Sequence, residues 1–133
     1  MPKKPSRKTI VKNLDTIFSI YIRMRRSKND IAECVTCGKE DHWKAMQAGH
    51  FMSRKFYSTR WSPENVEVQC MGCNVYRYGE QFKFSKHLGQ ELSDKLLAES
   101  RKTVKFADYE LTEMIDLYKQ KVEDLKKDKN KVK

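Results

Sequence analysis

Cys34-Val-Thr-Cys37 and Cys70-Met-Gly-Cys73-Asn74 bracket a stretch of 32 residues that contains Gln47-Ala48-Gly49-His50-Phe51 and Glu64-Asn65-Val66. Two C-x-x-C pairs present four thiolates at the spacing a tetrahedral zinc ion takes, and the chain has no fifth cysteine. Four protein ligands leave no position open for water, so an ion at Cys34, Cys37, Cys70 and Cys73 is expected to be structural. The gap between the pairs exceeds the roughly 15–20 residues of a simple zinc ribbon. The excess accommodates a hairpin. Val66-Glu67-Val68-Gln69-Cys70 alternates as a strand does, Gln47 to Met52 is its expected partner, and Ser53–Pro63 connects them. An ion pinning both ends of this loop would bring His50 near Asn74. A purely structural knuckle has no use for His50, Asn65 or Asn74.

Outward from this centre, the chain is 133 residues long, with 38% hydrophobic and 35% charged residues. That suits one modest domain whose small core a metal staple would support. No stretch approaches the ~20 apolar residues of a membrane span, and no apolar signal region opens the chain. The expected setting is therefore cytoplasmic, where paired cysteines favour metal over disulfides; a redox dithiol is the alternative. The net charge of +10 sits in the flanks. Residues 1–30 hold nine Lys/Arg against two acids, residues 31–100 nine against nine, and residues 101–133 ten against seven. Basic flanks around a neutral module point to a polyanionic partner, since neutralising phosphates releases counterions. The plainer reading is a tail that maintains solubility.

Residues 1–8 read as a basic disordered arm, 9–125 as a single domain, and 126–133 as a solvated, frayed basic tail. Ile10, Leu14, Ile17, Phe18, Tyr21 and Met24 recur on one helical face, predicting a helix over about 9–28. Helical segments are also expected from Asn74 onward, over about 80–88 with Gly89 as the break, and around Leu92–Leu97. Asp108 is the expected N-cap of a last helix. Its apolar stripe, Leu111, Met114, Ile115, Tyr118, Val122 and Leu125, serves either core packing or a seam between two chains.

The order C-x-x-C, strand His, Asn, C-x-x-C-N resembles the His-Me finger (HNH-type, ββα-metal) nucleases. More specifically, the chain resembles the Rap (NinG) family of lambdoid phage recombination proteins over about residues 10–125. Cys34-Val-Thr-Cys37-Gly38, Met46–Phe51, Arg60-Trp61, Glu64-Asn65-Val66 and Gln69–Asn74 carry the likeness. A more distant analogue is the endonuclease VII family of phage junction resolvases, with Asn directly after its last zinc cysteine. The resemblance implies an α+β fold, a zinc-stapled ββα-metal core flanked by N- and C-terminal helices. It implies a metal-dependent DNA endonuclease for branched recombination intermediates such as Holliday junctions and D-loops, working in the bacterial host. His50 would be the general base, Asn74 would present its amide oxygen to Mg²⁺ or Mn²⁺, and Asn65 would brace the hairpin.

The sequence departs from the usual HNH pattern at Gly49, where an Asp or His before the base often supplies a second metal ligand. Asp41, His42 and Glu80 are the remaining candidates; His42 and His87 otherwise read as ordinary surface or helix histidines. Arg54, Lys55, Arg60 and Arg77 flank the expected site, and Arg23, Arg25 and Arg26 crowd the end of the first helix. All seven are candidates for phosphate contact. Phe56, Tyr57, Tyr76 and Tyr78 interleave with them as stacking candidates, whereas Trp61 reads as core. Cutting opposed strands of a junction is simplest for a twofold pair of sites, so a homodimer is expected, with the Ile10–Met24 and Leu111–Leu125 faces as its interface. The alternatives are a nicking endonuclease without branch preference, a non-catalytic zinc module on nucleic acid, and a protein-interaction module.

Overall fold

The computed structural model describes residues 4–131, with side chains as far as Asp128. The first three residues of the expected arm and the last two of the expected tail lie outside the described residues. The first helix, α1, spans Arg7–Arg25, slightly earlier than its stripe predicts, because the Ser6 hydroxyl accepts from the Thr9 N–H and caps it. Ile10, Leu14, Phe18 and Ile22 form its buried face. Past its end, Asn29 (φ 52°) and Asp30 (φ 67°) adopt the left-handed conformation that these residues tolerate and turn the chain.

Two small antiparallel sheets follow. β1 (Ile31–Glu33) pairs with β2 (Glu40–His42), Ile31 opposite His42 and Glu33 opposite Glu40. Strands of three residues carry no legible alternation, so this hairpin is absent from the sequence reading. β3 (Gln47–His50) pairs with β4 (Val66–Gln69), Gln47 opposite Gln69 and His50 opposite Val66. This is the expected hairpin. Its connection contains a short helix, α2 (Tyr57–Arg60), and a 3-10 turn at Pro63–Asn65.

After β4 the chain winds a π-helical turn over Gly72–Tyr76, then α3 (Gln81–Leu88) and α4 (Gln90–Ser100), separated by Gly89 at φ 89°. The last helix, α5, spans Asp108–Lys131. Asp108 is its first helical residue rather than its cap: the Glu110 carboxylate accepts from the Ala107 N–H at 3.0 Å, while Asp108 pairs with Arg7 at 2.7 Å. The expected frayed tail is helical up to Lys131.

The stripes of α1 and α5 close on each other. Ile10, Leu14, Phe18 and Ile22 form one cluster with Leu111, Ile115 and Tyr118, and the Phe18 and Tyr118 rings meet edge-on at 4.9 Å. Each such side chain stabilises the fold by ~1.5–3 kcal/mol when fully buried. These stripes therefore cover one another within the chain, which corrects the expectation that they supply an interface between copies. Trp61 and Val66 join this cluster, so Trp61 packs in the core as expected. A second cluster, Ala32, Met46 and Val68, surrounds the cysteines. β4 contributes to both, and this locks the cysteine-bearing half of the molecule to the helical half.

Candidate metal centre and active-site cleft

The turn between β1 and β2 carries Cys34 and Cys37, the end of β4 leads into Cys70, and the π-helical turn holds Cys73. Their four sulfurs lie within 4.8 Å of one another, with Cys37 and Cys70 at 3.6 Å. Tetrahedral zinc with bonds of about 2.3 Å places its sulfurs roughly 3.8 Å apart, so the cluster fits a metal such as zinc. The Cys73 N–H donates to Cys70 Sγ at 3.4 Å, and the Arg77 guanidinium donates to Cys73 Sγ at 3.3 Å, offsetting thiolate charge. Without an ion the Cys37 thiol keeps its proton. A backbone hydrogen bond from Lys39 favours the Cys37 thiolate, yet burial and the three neighbouring sulfurs push its pKa up to about 12. A divalent cation removes that repulsion.

Beside this centre, α1, β3 and the π-helical turn enclose a cleft of about 810 Å³, lined among others by Arg23, Gln47, His50, Arg54, Asn74 and Tyr78. His50 Nε2 lies 2.9 Å from the Arg60 carbonyl oxygen. A carbonyl only accepts, so Nε2 carries the proton and Nδ1 keeps its lone pair. Burial holds the His50 pKa down at about 4, with the charge of Arg54 acting in the same direction and the Arg60 carbonyl opposing. The ring is neutral at pH 7. The Asn74 Nδ2 group donates to Gln47 Oε1 at 2.7 Å, which turns its Oδ1 into the free end of the amide. The π turn that carries Asn74 is closed by the Arg77 N–H on the Gly72 carbonyl at 2.9 Å; single π turns recur at functional sites.

Hydrogen bonds tie down the residues behind the cleft. Asn65 is fully buried, and all its polar atoms fasten the loop after β3: Oδ1 accepts from the Met52 N–H at 2.8 Å, and Nδ2 donates to the Met52 and Thr59 carbonyls at 2.9 and 3.1 Å. Asp15 of α1 accepts from Arg60 Nε at 3.1 Å and from Trp61 Nε1 at 2.9 Å, and its other oxygen takes an Arg60 terminal nitrogen at 2.5 Å. The residue whose carbonyl orients His50 is thus anchored to the first helix. Gly49 is required by packing: a Cβ there would lie 1.9 Å from Gln69 Oε1. The Gln69 amide, fully buried, donates to the Gly79 carbonyl at 2.8 Å and to the Thr36 hydroxyl at 3.1 Å.

None of the three candidates for a second cation ligand lines the cleft. Asp41 accepts from the His42 N–H, His42 Nδ1 accepts from the Lys44 N–H, and Glu80 pairs with Arg77 at 3.0 Å. The seven cations also separate. Arg54 and Arg23 line the cleft, although Arg23 is held by Ser19 and stacks over Trp43. Lys55 is exposed, with its ammonium over Phe56. Arg60 and Arg77 are engaged as described. Arg25 is taken up inside the fold by the Pro63 and Val66 carbonyls and by Glu67 at 2.7 Å, and Arg26 reaches the same carboxylate at 3.1 Å. Glu67 is buried, although its place in an alternating strand suggests an outward position.

Sequence reasoning missed Asp15, Gln47, Gln69 and Glu67. Asp15 left one signal: it is one of only two acids in the basic first 30 residues. Among known proteins, the family described as NinG, the bacteriophage lambda NinG protein, matches over residues 3–129. Comparison with curated proteins gave no match, nor did comparison with solved structures. No described helix is long and apolar enough to cross a membrane.

Proposed function

The chain belongs to the bacteriophage lambda NinG protein family, and from that premise we propose that it is a metal-dependent DNA endonuclease of the His-Me finger type, acting on branched intermediates of phage recombination. One observation carries the reading. A neutral imidazole, proton fixed on Nε2 and lone pair on Nδ1, shares a cleft with an amide whose oxygen is free.

In this mechanism His50 accepts the proton of the attacking water at Nδ1, while the Arg60 carbonyl keeps the ring in the required tautomer and orientation. Arg54 draws the phosphate into the cleft. Asn74 Oδ1 would hold a hard divalent cation, which would supply positive charge to the scissile phosphate and the leaving oxygen. The donor set would suit Mg²⁺ or Mn²⁺: one amide oxygen is offered and the Asp15 carboxylate is already committed, so such a cation would keep most of its waters, as Mg²⁺ tends to do. Zinc at Cys34, Cys37, Cys70 and Cys73 would be structural, tying the β1–β2 turn to the turn that carries Asn74. The twofold arrangement that junction resolution favours needs a surface other than the α1 and α5 stripes.

The test is nicking of supercoiled plasmid by the full chain with Mg²⁺ or Mn²⁺, with EDTA, and with His50→Ala. Metal-dependent nicking that His50→Ala loses by ~10²–10⁴-fold supports the reading. Equal nicking by His50→Ala, purified identically, refutes His50 as the base. A wild type that binds DNA but never cuts it leaves a non-catalytic zinc module.

A further inference from the structure

Residues 75–82 hold apolar side chains that neither the proposed hydrolysis nor the cysteine centre uses. Tyr76 and Tyr78 are 72% and 89% exposed. In a chain with so small a core, aromatic side chains left in water are conspicuous, since each is worth more buried. Among the described residues, no ring or cation stacks on either of them, whereas the nearby Phe82 ring has the Lys86 ammonium 4.5 Å from its centre. Tyr78 lines the cleft that also holds His50 and Asn74.

The backbone there is held in an unfavourable conformation. Tyr78 has φ 53°, in the left-handed region that bulky residues avoid, and Gly79 (φ 88°) and Glu80 (φ 48°) continue it. The turn persists because its neighbours determine it. The Gly79 N–H donates to the Cys73 carbonyl at 2.7 Å, the Gly79 carbonyl accepts from Gln69, and Glu80 is paired with Arg77. A glycine would occupy position 78 without strain. Strain of this kind concentrates at functional sites, where surrounding structure over-determines it.

The ring therefore stands at the mouth of a cleft whose cations suit phosphate, offering an aromatic face to whatever enters. Paired duplex DNA has no base face to give, because its bases stack on one another. Unpaired bases at a branch point or in a single strand do. We propose that Tyr78, flanked by Tyr76, is a stacking site for an unpaired DNA base, and that it selects branched or unpaired DNA over intact duplex. This rests on the endonuclease reading and gives it a source of substrate preference.

The experiment uses the full chain and two variants, Tyr78→Gly and Tyr78→Trp, on a four-way junction carrying 2-aminopurine at the branch and on linear duplex of matching sequence. Tyr78→Gly keeps the backbone conformation and relieves its strain, so thermal unfolding should show it at least as stable as the parent. Loss of one base–aromatic stack should lower the junction-to-duplex affinity ratio by about 5- to 150-fold and abolish the change in 2-aminopurine fluorescence on binding. Tyr78→Trp should retain both. A Tyr78→Gly protein with the parental ratio and the parental fluorescence change overturns the stacking site while the wild type still cuts the junction, so the endonuclease reading survives. A variant whose ratio is unchanged but whose subunit number in sedimentation changes makes the patch a protein interface and likewise overturns it. A wild type that cuts neither DNA removes both readings.

Discussion

Asn65→Ala should damage the protein far more than its size suggests. The side chain is fully buried and makes three hydrogen bonds, to Met52 N–H, Met52 C=O and Thr59 C=O, at 2.8, 2.9 and 3.1 Å. At ~1 kcal/mol each, their loss costs about 3 kcal/mol, and leaving these groups unpaired in the interior raises the cost to about 3–5 kcal/mol. For a domain of this size each kcal/mol is worth roughly 3–5 °C, so the melting temperature should fall by about 10–20 °C. The consequence reaches the cleft. Those bonds fix the loop that ends in Arg60, and the Arg60 carbonyl holds His50. Under conditions where Asn65→Ala is still folded by circular dichroism, nuclease activity should be reduced well beyond the unfolded fraction, with bound zinc retained. Urea denaturation of both proteins gives the stability, and plasmid nicking at a temperature below both transitions gives the activity. A variant within 1 kcal/mol of the parent would refute the bracing role, and normal activity in a destabilised variant would refute the link from Asn65 to His50.

Cys70→Ser should lose bound zinc and cooperative folding together, because structural metal binding and folding are one equilibrium; elemental analysis and near-UV circular dichroism check both. The His50 pKa of about 4 lies below its ordinary value, so the unfolded chain binds the extra proton first as pH falls. The His50 contribution to stability is therefore complete above about pH 6.5 and lost as pH drops through 4, and NMR titration should find no His50 transition near 6.5. Glu67→Ala should cost ~3–5 kcal/mol by leaving the Arg25 charge buried without its partner. Arg26→Ala, removing the exposed member of the same cluster, should cost no more than ~1 kcal/mol; equal costs in denaturant would contradict the assignment of Arg25 as the interior partner.

The cysteine cluster and the β3–β4 hairpin were legible in the sequence because both are local patterns repeated at fixed spacing. C-x-x-C brackets constrain their own turns, and alternation exposes a half-buried strand. The gathering of His50 and Asn74 into one cleft followed from the same brackets, since two pinned loop ends leave few places for the residues between them. The helical stripes were visible too, but a stripe records only that a face is covered. Their mutual packing, which removes them as an interface, became apparent only when α1 and α5 were seen side by side. The fate of the cations was decided in the same way. A run of arginines carries no information about whether Glu67, 42 residues from Arg25 and 41 from Arg26, will turn inward to receive both. Asp15 reaches Arg60 and Trp61 across 45 and 46 residues, and Gln69 lies over Gly49, because tertiary contact and not sequence spacing sets those distances. Residue chemistry and short periods are written along the chain. Which polar group finds which partner in the interior depends on long-range packing, and that arises only when the whole chain closes.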